Sequence, residues 1–511
     1  MYVGMGASIR PWTTREVERV VEQHATAGAG IDTVGSEEQA ASHGSMLEVL
    51  ANRRFLLLWV AQIISQTAQQ IINLALAVQV ATITGSSTAV AGLIVSFTLP
   101  AILFAAVAGV FVERSSKKNV LVATNLARGI MVLAYVLTDA NWGPGAVLLI
   151  FYVVTFLFAS VSQFFNPAEL AMIPLIVRRN QLVAANSLFN LSFTACQLGG
   201  FVILGPLLLA TVVRGNYPVL YLILFVLYLI CAALTYFLPQ DAPAKPRSSP
   251  QYAEEWADPT RPGSHAGQAV EGNGGLGDVV RRGFLVARAD LIEAWNFVRR
   301  DEVIRSTILY WSIAITAFMM LGAIGPNFLQ KVLRIDPDQL YVILSPGGAG
   351  LVLGVLIVGR LSTPENRQAM ITWSLFITGA VLVVFALVEP ATRWLFSLSG
   401  QQPPVGLILF LMGTMAFVLG ALNSFIGVPA QTALQERSPL DIRARVFSFF
   451  FTVQNAMLIV PVLLAAGLAD SLGHVQTVAL IGAAVLIIAG VGVRRMRAGK
   501  ESTSQSTSHS P

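Results

Sequence analysis

Charged residues are scarce in this 511-residue chain. Asp, Glu, Lys and Arg make up 12% of it, whereas 55% is hydrophobic and the mean hydropathy is +0.67. A soluble domain carries about 25% charged residues. The apolar residues also form blocks of about 20 or more, the length needed to cross roughly 30 Å of hydrocarbon. The composition therefore excludes an ordinary soluble domain and predicts a membrane protein with several spans.

Cysteine and histidine are scarce as well, with two and five residues. Cys196 and Cys231 lie in apolar blocks, which argues against a disulfide framework and against a CxxC metal or redox site. The histidines lack ligand spacing, and the nucleotide-binding pattern Gly-x-x-x-x-Gly-Lys-Ser/Thr does not occur. No set of His, Asp and Glu recurs at membrane depth. We therefore expect no metal, no cofactor and no enzymatic activity.

Twelve apolar segments predict twelve transmembrane helices. Their approximate bounds are 55–82, 88–112, 119–138, 145–168, 184–212, 217–239, 304–332, 340–360, 369–388, 404–429, 445–469 and 475–493. Six segments precede a long polar stretch and six follow it, so we predict an all-α protein built from two six-helix pseudo-repeats. "PAELA" at 167–171 and "PAQTA" at 429–433 both close the fourth span of a half. This repetition indicates a duplication, which is typical of transporters.

The sequence divides into six predicted regions. In order they are a disordered cytoplasmic segment (1–50), the first six-helix half (51–239), a disordered cytoplasmic linker (240–277), an amphipathic interfacial helix (278–302), the second half (303–497) and a polar cytoplasmic tail (498–511). The first region lacks the apolar core of a signal peptide, so the first span is expected to direct insertion. The linker is rich in Pro, Gly, Ser and charge, which favours disorder. One face of the interfacial helix carries Val280, Phe284, Ala287, Leu291, Trp295 and Val298, so we expect it on the membrane surface.

The positions of Lys and Arg predict the orientation in the membrane. If both termini are cytoplasmic, most basic residues fall on the cytoplasmic side, and the other side has Arg214, Lys331, Arg334 and Arg393. Basic residues concentrate in cytoplasmic loops, so we expect a multi-pass plasma-membrane protein with both termini inside. This bias accounts for the net charge of +5 and the isoelectric point near 9.3. Nucleic acid is therefore not expected as a partner.

The first span contains a polar face. The residues Gln62, Ser65, Gln66, Gln69, Gln70 and Asn73 of "QIISQTAQQIIN" fall within an arc of about 140° on a helix. We call this set the amide stripe. An unpaired amide in hydrocarbon costs about 2–7 kcal/mol, so the stripe cannot face lipid. It either lines a polar cavity or bonds neighbouring helices, and its density favours the cavity.

The second half offers fewer polar residues for an opposite wall of such a cavity. The candidates are Ser312, Thr316, Asn423 and Gln454. Aromatic and Met residues of the seventh span, among them Trp311 and Phe318, would add adaptable apolar surface, although such residues more often pack against helices or lipid. One amide-rich wall and one apolar wall would suit an amphipathic, mostly neutral small molecule.

The loop after the second span, "GVFVERSSKK", resembles the signature loop of the major facilitator superfamily, Gly-x-x-x-Asp-Arg-x-Gly-Arg-Arg. The matching residues are Gly109, Arg114, Lys117 and Lys118, with Glu113 in place of the Asp and Ser116 in place of the second Gly. The resemblance implies a gating motif. In this motif Gly109 would permit two helices to approach closely. Glu113 would pair with a cation or a helix N-terminus in one of the two conformations of the gate. The alternative is a basic cap without a gating role.

The resemblance covers residues 50–497 and is most specific for the exporter branch that includes the enterobactin exporter and macrolide efflux proteins. It rests on "NRRFLLLWVAQIIS", "FFNPAELAMIPLIV" and "AANSLFNL". It implies the major facilitator fold and proton-driven efflux of amphipathic small molecules, drug-like or siderophore-like, by alternating access and without a cofactor. We expect a monomer whose partners are its substrate, the proton gradient and membrane lipids.

Two features depart from the drug–proton antiporters of the wider superfamily. Those proteins often carry an acid at mid-depth in the first or fourth span, whereas the candidate acids of this chain, Glu113, Glu169, Glu436 and Asp470, lie near span ends. The antiporter pattern of the fifth span is partial, and its expected helix-packing residues are Gly199, Gly200, Gly205 and Pro206. Proton coupling is therefore implied by the resemblance alone.

Arg128 is a basic residue deep in a predicted span, about 13 Å along the axis of the third. A buried Arg in a membrane is costly and usually faces the bundle interior with a partner. It would bind an anion or pair with Glu113 or Glu169. Alternatively, its side chain snorkels to the cytoplasmic headgroups.

The expected function is therefore secondary export of amphipathic small molecules. A lipid or lysolipid transporter and an importer on the same fold are alternatives. A further alternative is a non-transporting membrane scaffold. A scaffold would need no polar stripe within the membrane, so the amide stripe favours a transporter.

Overall fold

The computed structural model describes residues 46–138, 142–213, 216–241, 288–334, 341–439 and 442–507. The predicted segment 1–50, the linker 240–277 and the beginning of the amphipathic helix lie mostly outside these ranges. Within the ranges the chain is helical and forms no strand, and twelve helices are long and apolar enough to cross a membrane. The predicted all-α architecture with twelve transmembrane helices is confirmed.

The membrane helices are labelled α1 to α12. Their bounds are α1 Arg53–Thr84, α2 Ser87–Arg114, α3 Lys117–Val136, α4 Pro144–Ile176, α5 Leu182–Leu198, α6 Tyr217–Tyr236, α7 Glu302–Phe328, α8 Tyr341–Leu361, α9 Arg367–Ser397, α10 Val405–Arg437, α11 Arg443–Leu472 and α12 His474–Thr507. A short helix, Met46–Ala51, precedes α1. Helix α9 runs beyond its predicted end at 388, and Glu389 and Arg393 form an ion pair one turn apart in the added part of the helix.

The fifth span departs from regular α-helix. After α5 the chain continues as a π-helix over Gly199–Leu204, a short α-helical segment over Gly205–Leu208 and a second π-helix over Leu209–Val213. Such wide turns are rare and frequently lie at functional sites. The first π-helix packs against α1. The irregular part of the fifth span therefore lies beside the helix that carries the amide stripe.

The two halves pack their helices in the same pattern. In the first half α2 packs on α4, α3 on α6, and α1 on α5. The equivalent pairs in the second half, α8 with α10, α9 with α12, and α7 with α11, are also in contact. Equivalent contacts at equivalent positions support the duplication inferred from the sequence.

Helices α8 and α10 approach each other most closely through glycine. A β-carbon at Gly350 would overlap the carbonyl oxygen of Phe417, and one at Gly420 would overlap the carbonyl oxygen of Gly347. Small residues permit this kind of backbone contact between membrane helices. Both positions therefore require glycine for the observed packing of the second half.

The halves contact each other through α2 with α11 and α7, and through the irregular part of the fifth span with α8. The hydrogen bonds that we find between the described parts of the two halves join the beginning of α2 to Asp470 at the end of α11 and to His474. We call this side of the bundle the far end. The opposite side, where the chain leaves α6 and enters α7, is the linker end. The halves are thus joined at the far end.

Residues 288–298 form the described part of the predicted amphipathic helix. Asp290 and Glu293 pair with Arg445 at the beginning of α11, at 3.2 and 2.6 Å. Val298 is buried in a cluster with residues of α7, α10 and α11, whereas Trp295 is 48% exposed. The helix therefore docks on the linker end of the second half and uses part of its apolar face for that contact.

Candidate functional site

Helix α1 is fixed at its linker end by contacts with α4 and α5. Asn52 caps the helix by accepting hydrogen bonds from two backbone N–H groups of the first turn. Its Nδ2 donates to the carbonyl oxygen of Ile176, 2.7 Å away at the end of α4. Further along, Trp59 Nε1 donates to Ser192 Oγ at 2.7 Å. These contacts position the helix that carries the amide stripe.

The first part of the amide stripe lies inside the first half. Gln62 and Ser65 are fully buried. Gln62 Nε2 donates to the carbonyl oxygen of Phe189 at 3.2 Å, and the Tyr228 hydroxyl donates to the Ser65 carbonyl at 3.3 Å. Gln62 Oε1 and Ser65 Oγ have no hydrogen-bond partner among the described residues. This part of the stripe joins α1 to α5 and α6.

The second part of the stripe comprises Gln66, Gln69, Gln70 and Asn73. Gln66 is 4% exposed, and the other three are half-buried. Asn73 Nδ2 donates to Gln70 Oε1 at 3.3 Å, while Asn73 Oδ1 is unpaired within the described structure. These amides therefore retain unused hydrogen-bonding capacity, which contact with a polar ligand would require.

An apolar cavity of about 150 Å³ adjoins this second part of the stripe. Leu74 and Ala77 of α1, Phe201 of the fifth span and Phe318 of α7 line it, together with residues of α8, α9, α10 and α12. The predicted polar cavity residues are not in its lining. Leu74 directly follows the last residue of the stripe in the sequence. The cavity between the halves is thus apolar, and the helix that carries the amide stripe supplies two of its lining residues.

The predicted polar residues of the second half are dispersed. Ser312 and Thr316 are buried on α7, and neither hydroxyl has a partner among the described residues. Asn423 on α10 and Gln454 on α11 are half-buried. Trp311 stacks on an aromatic ring of α11 at 4.3 Å. Within the described structure, no hydrogen bond joins the four polar residues to the amide stripe.

The predicted packing residues of the fifth span have different surroundings. At Gly200 and Gly205 an added β-carbon would lie 2.9 Å from a side-chain atom of α1. Gly199 has nothing within 4 Å of such a carbon, and Pro206 is buried. Two of the four residues therefore permit the close contact between the fifth span and α1.

Arg128 lies in the interior of the first half and is 0% exposed. Its guanidinium does not reach the surface, which excludes the snorkelling alternative. Nη2 donates to Asn125 Oδ1 at 2.8 Å, and the guanidinium lies 3.9 Å from the ring centroid of Phe165 and 5.2 Å from that of Tyr228. Glu169 on α4 is 2% exposed and lies one helical turn after Phe165, the residue whose ring contacts the guanidinium. Of the two predicted partners, Glu169 is the one that the described structure places nearby.

The loop between α2 and α3 is bound by an acid that no sequence motif indicates. Asp241, which follows α6, accepts hydrogen bonds from the Ser116 hydroxyl at 2.8 Å and from the backbone N–H groups of Lys117 and Lys118 at 2.8 and 3.1 Å. Partial burial alone would raise the pKa of the Asp241 carboxyl, but these hydrogen bonds outweigh it and lower the pKa below its ordinary 3.8. Asp241 thus places a carboxylate at the N-terminus of α3, beside the loop motif.

The remaining residues of the loop motif are only partly described. The side chains of Glu113 and Arg114 lie outside the described part of the structure. A β-carbon at Gly109 would meet nothing within 4 Å, so this conformation shows no close helix approach there. Lys118 Nζ lies 4.9 Å from the ring centroid of Tyr236. The gating role of the motif stays a prediction.

A second carboxylate binds a helix N-terminus at the far end, and this contact joins the halves. Asp470 accepts hydrogen bonds from the backbone N–H groups of Ser87 and Thr88, both at 2.9 Å, and from the Ser86 hydroxyl at 2.7 Å. His474 Nε2 lies 3.2 Å from Ser87 Oγ. The sequence places Asp470 at a span end but does not reveal its partners, which are more than 380 positions away.

Comparison with known proteins identifies the family. The family model described as Major Facilitator Superfamily matches residues 58–460. The "Uncharacterized MFS-type transporter YvqJ" of Bacillus subtilis is 23% identical over 77% of this chain and 81% of its own length. Macrolide efflux protein A of Streptococcus pyogenes is 21% identical over 85% of this chain and 94% of its own. The multidrug efflux pump Tap of Mycolicibacterium fortuitum is 24% identical over 40% of this chain and 46% of its own.

Solved structures share the fold. The POT family transporter PepTSo matches with a TM-score of 0.61 and 11% identity, over 88% of this chain and 99% of that chain. The nucleoside transporter NupG matches with a TM-score of 0.59 and 13% identity, over 86% and 99%. Because the family consists of membrane transporters, the expectations of a multi-pass membrane protein and of a non-enzymatic role are confirmed. The chain belongs to the major facilitator superfamily of membrane transporters.

Proposed function

We propose that this transporter is a secondary exporter of amphipathic, mostly neutral small molecules, driven by the proton gradient. The observation that carries the proposal is on α1, where Asn73 of the amide stripe directly precedes Leu74 and lies one turn before Ala77, and both of these apolar residues line the cavity. One helix thus offers hydrogen-bonding groups and apolar surface side by side. An amphipathic ligand needs both kinds of contact.

The contact at the far end supports a mechanism of alternating access. The halves are joined there through Asp470 and the beginning of α2. In the opposite state this contact would separate and the linker end would close. With the linker end and both termini in the cytoplasm, as the basic residues predict for the plasma membrane, the closed far end would prevent substrate from leaking outward before the transition.

The named relatives support export. Macrolide efflux protein A and the multidrug efflux pump Tap are exporters by name, and drug-like or siderophore-like amphipathic compounds are the proposed substrates. Both halves of one chain border the cavity, which supports a monomer in membrane lipid as the working unit. An importer, a lipid or lysolipid transporter, and a non-transporting scaffold are the alternatives.

Dye efflux tests the proposal. Cells with and without the protein are loaded with rhodamine 6G, ethidium or Nile red, and dye loss is followed with and without a protonophore. We expect the protein to accelerate the loss of at least one dye and the protonophore to abolish the acceleration. If the protein moves none of the three dyes, export of amphipathic compounds is contradicted. Acceleration that survives the protonophore would contradict the proton drive.

A paired variant tests the role of the amide stripe in the same assay. Gln66→Leu/Gln69→Leu removes two amides, whereas Gln401→Leu makes the same change in the exposed loop between α9 and α10. If the variant loses about 1.4 kcal/mol of binding free energy, near the value of one hydrogen bond, its affinity for the ligand falls about tenfold. We expect a reduction of that order in the paired variant and none in the control. Unchanged efflux in both would assign these amides to helix contacts.

A further inference from the structure

Two ionisable side chains are buried together inside the first half. Arg128 on α3 is 0% exposed and Glu169 on α4 is 2% exposed. An arginine side chain stays protonated in proteins, so a full positive charge lies in the membrane domain. A buried charge of this kind needs a counter-charge or a dense set of contacts. The state of Glu169 therefore decides the charge of the whole cluster.

The Arg128 guanidinium has incomplete contacts. Nη2 donates to Asn125 Oδ1, and the rings of Phe165 and Tyr228 face the cation. Such cation–π contacts contribute most where water is excluded. Nε and Nη1, however, have no hydrogen-bond partner among the described residues. Nε and Nη1 of Arg128 can therefore still donate hydrogen bonds to an acceptor that the guanidinium does not contact in this conformation.

The Glu169 carboxyl group also has an oxygen without a hydrogen-bond partner. Its Oε1 is buried and lacks a hydrogen-bond partner within the described structure. Glu169 lies one helical turn after Phe165, whose ring contacts the Arg128 guanidinium, yet the two ionisable side chains form no ion pair among the described contacts. An ionised carboxylate without partners is strongly disfavoured at such a position, whereas a neutral carboxyl is tolerated. The observed arrangement therefore suits a Glu169 that carries a proton.

The surroundings connect this cluster to the amide stripe. Two further titratable side chains, Tyr228 and Cys231, are buried on this side of the first half on α6, and the Tyr228 ring faces the cation. The Tyr228 hydroxyl donates to the Ser65 carbonyl of α1, and Cys231 Sγ lies 3.4 Å from a carbonyl oxygen of the same helix. A movement of Arg128 away from the Tyr228 ring would therefore disturb contacts with α1.

We propose that Glu169 binds and releases the proton that drives transport, with Arg128 as its counter-ion in the proton-free state. This assignment rests on the proposed proton-driven function. On release, the proton passes from the carboxyl to water, and the carboxylate draws the guanidinium away from Asn125 and the two rings into an ion pair. Contacts of Tyr228 with α1 change in that step, so proton release alters the helix that carries the amide stripe. When Glu169 takes up a proton, these steps occur in the reverse order.

Infrared spectroscopy of the purified, lipid-reconstituted protein tests the proton site without a substrate. We expect the carbonyl band of a buried neutral carboxyl to disappear as the buffer is changed from acidic to mildly alkaline. Glu169→Gln should lack this change, and Glu436→Gln, which alters an exposed acid on α10, should keep it. In Arg128→Met the band should persist into more alkaline buffer, because removal of the cation favours the neutral carboxyl. A purely structural role for Arg128 would leave the band unmoved.

Ethidium transport in liposomes tests whether this proton drives transport. At zero membrane potential, a gradient of one pH unit supports about a tenfold accumulation ratio per proton exchanged. We expect a response of this size in the unaltered protein. In Glu169→Gln the response should be absent while gradient-independent dye exchange remains. If Glu169→Gln fails to fold, Arg128→Met/Glu169→Gln, which removes both charges, replaces it.

The outcomes separate this assignment from the proposed function. If the unaltered protein transports none of the three dyes, or transports a dye but ignores the pH gradient, the proposed function fails, and this assignment fails with it as a coupling site. If the unaltered protein responds and Glu169→Gln responds equally, Glu169 is not the coupling residue and the proton drive stands. An unchanged infrared band in Glu169→Gln would overturn the assignment directly.

Discussion

At the scale of single residues, the polar groups of α1 differ in their surroundings although they share one helical face. Gln62 is fully buried and donates to a carbonyl oxygen of α5. Gln69, two turns later, is half-buried. Both are glutamines on the same face of the helix, so only the packing of the neighbouring helices distinguishes them.

This difference predicts separate effects of the same substitution. Gln62→Leu removes one hydrogen bond, worth about 0.5–1.5 kcal/mol, and also removes an unpaired buried oxygen. We therefore expect a change in unfolding free energy within about 1 kcal/mol and unchanged dye efflux. Gln69→Leu should lower efflux without changing stability. Thermal unfolding in detergent and dye efflux measure the two effects, and the opposite pattern would place the substrate path elsewhere.

The sequence identifies polar residues within apolar spans, but it does not reveal which of them meet. The periodicity of the stripe is sufficient to predict a non-lipid face. The burial of Arg128 and its position beside Glu169 depend on the packing of α3 against α4, which no local pattern encodes. The apolar block ends near Glu169, which predicts a position at a span end, whereas α4 continues to Ile176.

At the scale of elements, two helix N-termini are bound by carboxylates from elsewhere in the chain. Asp241 binds the beginning of α3, and Asp470 binds the beginning of α2. The partial positive charge of a helix N-terminus favours such contacts. The first contact lies within one half, and the second joins the halves. The sequence suggests helix ends through Ser86 and Ser116, but the distant carboxylates become evident only in the fold.

Asp241→Asn tests the contact within the first half. Replacing a charged cap is expected to lower the unfolding free energy by about 0.5–2 kcal/mol at neutral pH. The folded protein lowers the pKa of Asp241 below 3.8, so the stabilisation is complete above that value. It is lost as the pH falls through the lower pKa of the folded state. Unfolding midpoints of the protein and the variant should therefore converge in acid.

Asp290→Asn is the matched control for this measurement. Burial raises the pKa of Asp290 in spite of the neighbouring Arg445, so ionisation of Asp290 opposes folding slightly rather than supporting it. We expect little or no loss of stability at neutral pH in this variant. A loss equal to that of Asp241→Asn would show that the cap on α3 has no special contribution.

At the scale of the whole molecule, the twelve helices form two similar halves joined at the far end. The number of spans and the two-half division follow from the apolar blocks and the repeated "PAELA" and "PAQTA" sequences. Which end is closed does not follow from them, because it depends on contacts between α2 and α11. These contacts place Asp470 where it would hold one conformation of the transporter.

Spin-label distances across both ends test whether the halves open alternately at the two ends. One pair of labels, at Thr82→Cys and Ser471→Cys, reports the far end, and another, at Asn119→Cys and Thr363→Cys, reports the linker end; all four positions are exposed. The native cysteines are buried, and the unsubstituted protein gives the labelling background. Asp470→Asn weakens a charge-assisted contact worth about 1.5–3 kcal/mol, which is a shift of about tenfold or more in the conformational equilibrium.

We expect Asp470→Asn to lengthen the far-end distance and to shorten the linker-end distance in the same sample. Glu436→Gln, which alters an acid on α10 that pairs with Arg367 of the same half, serves as the control and should leave both distances unchanged. A single short far-end distance in every variant, or simultaneous lengthening at both ends, would contradict alternating access about this contact.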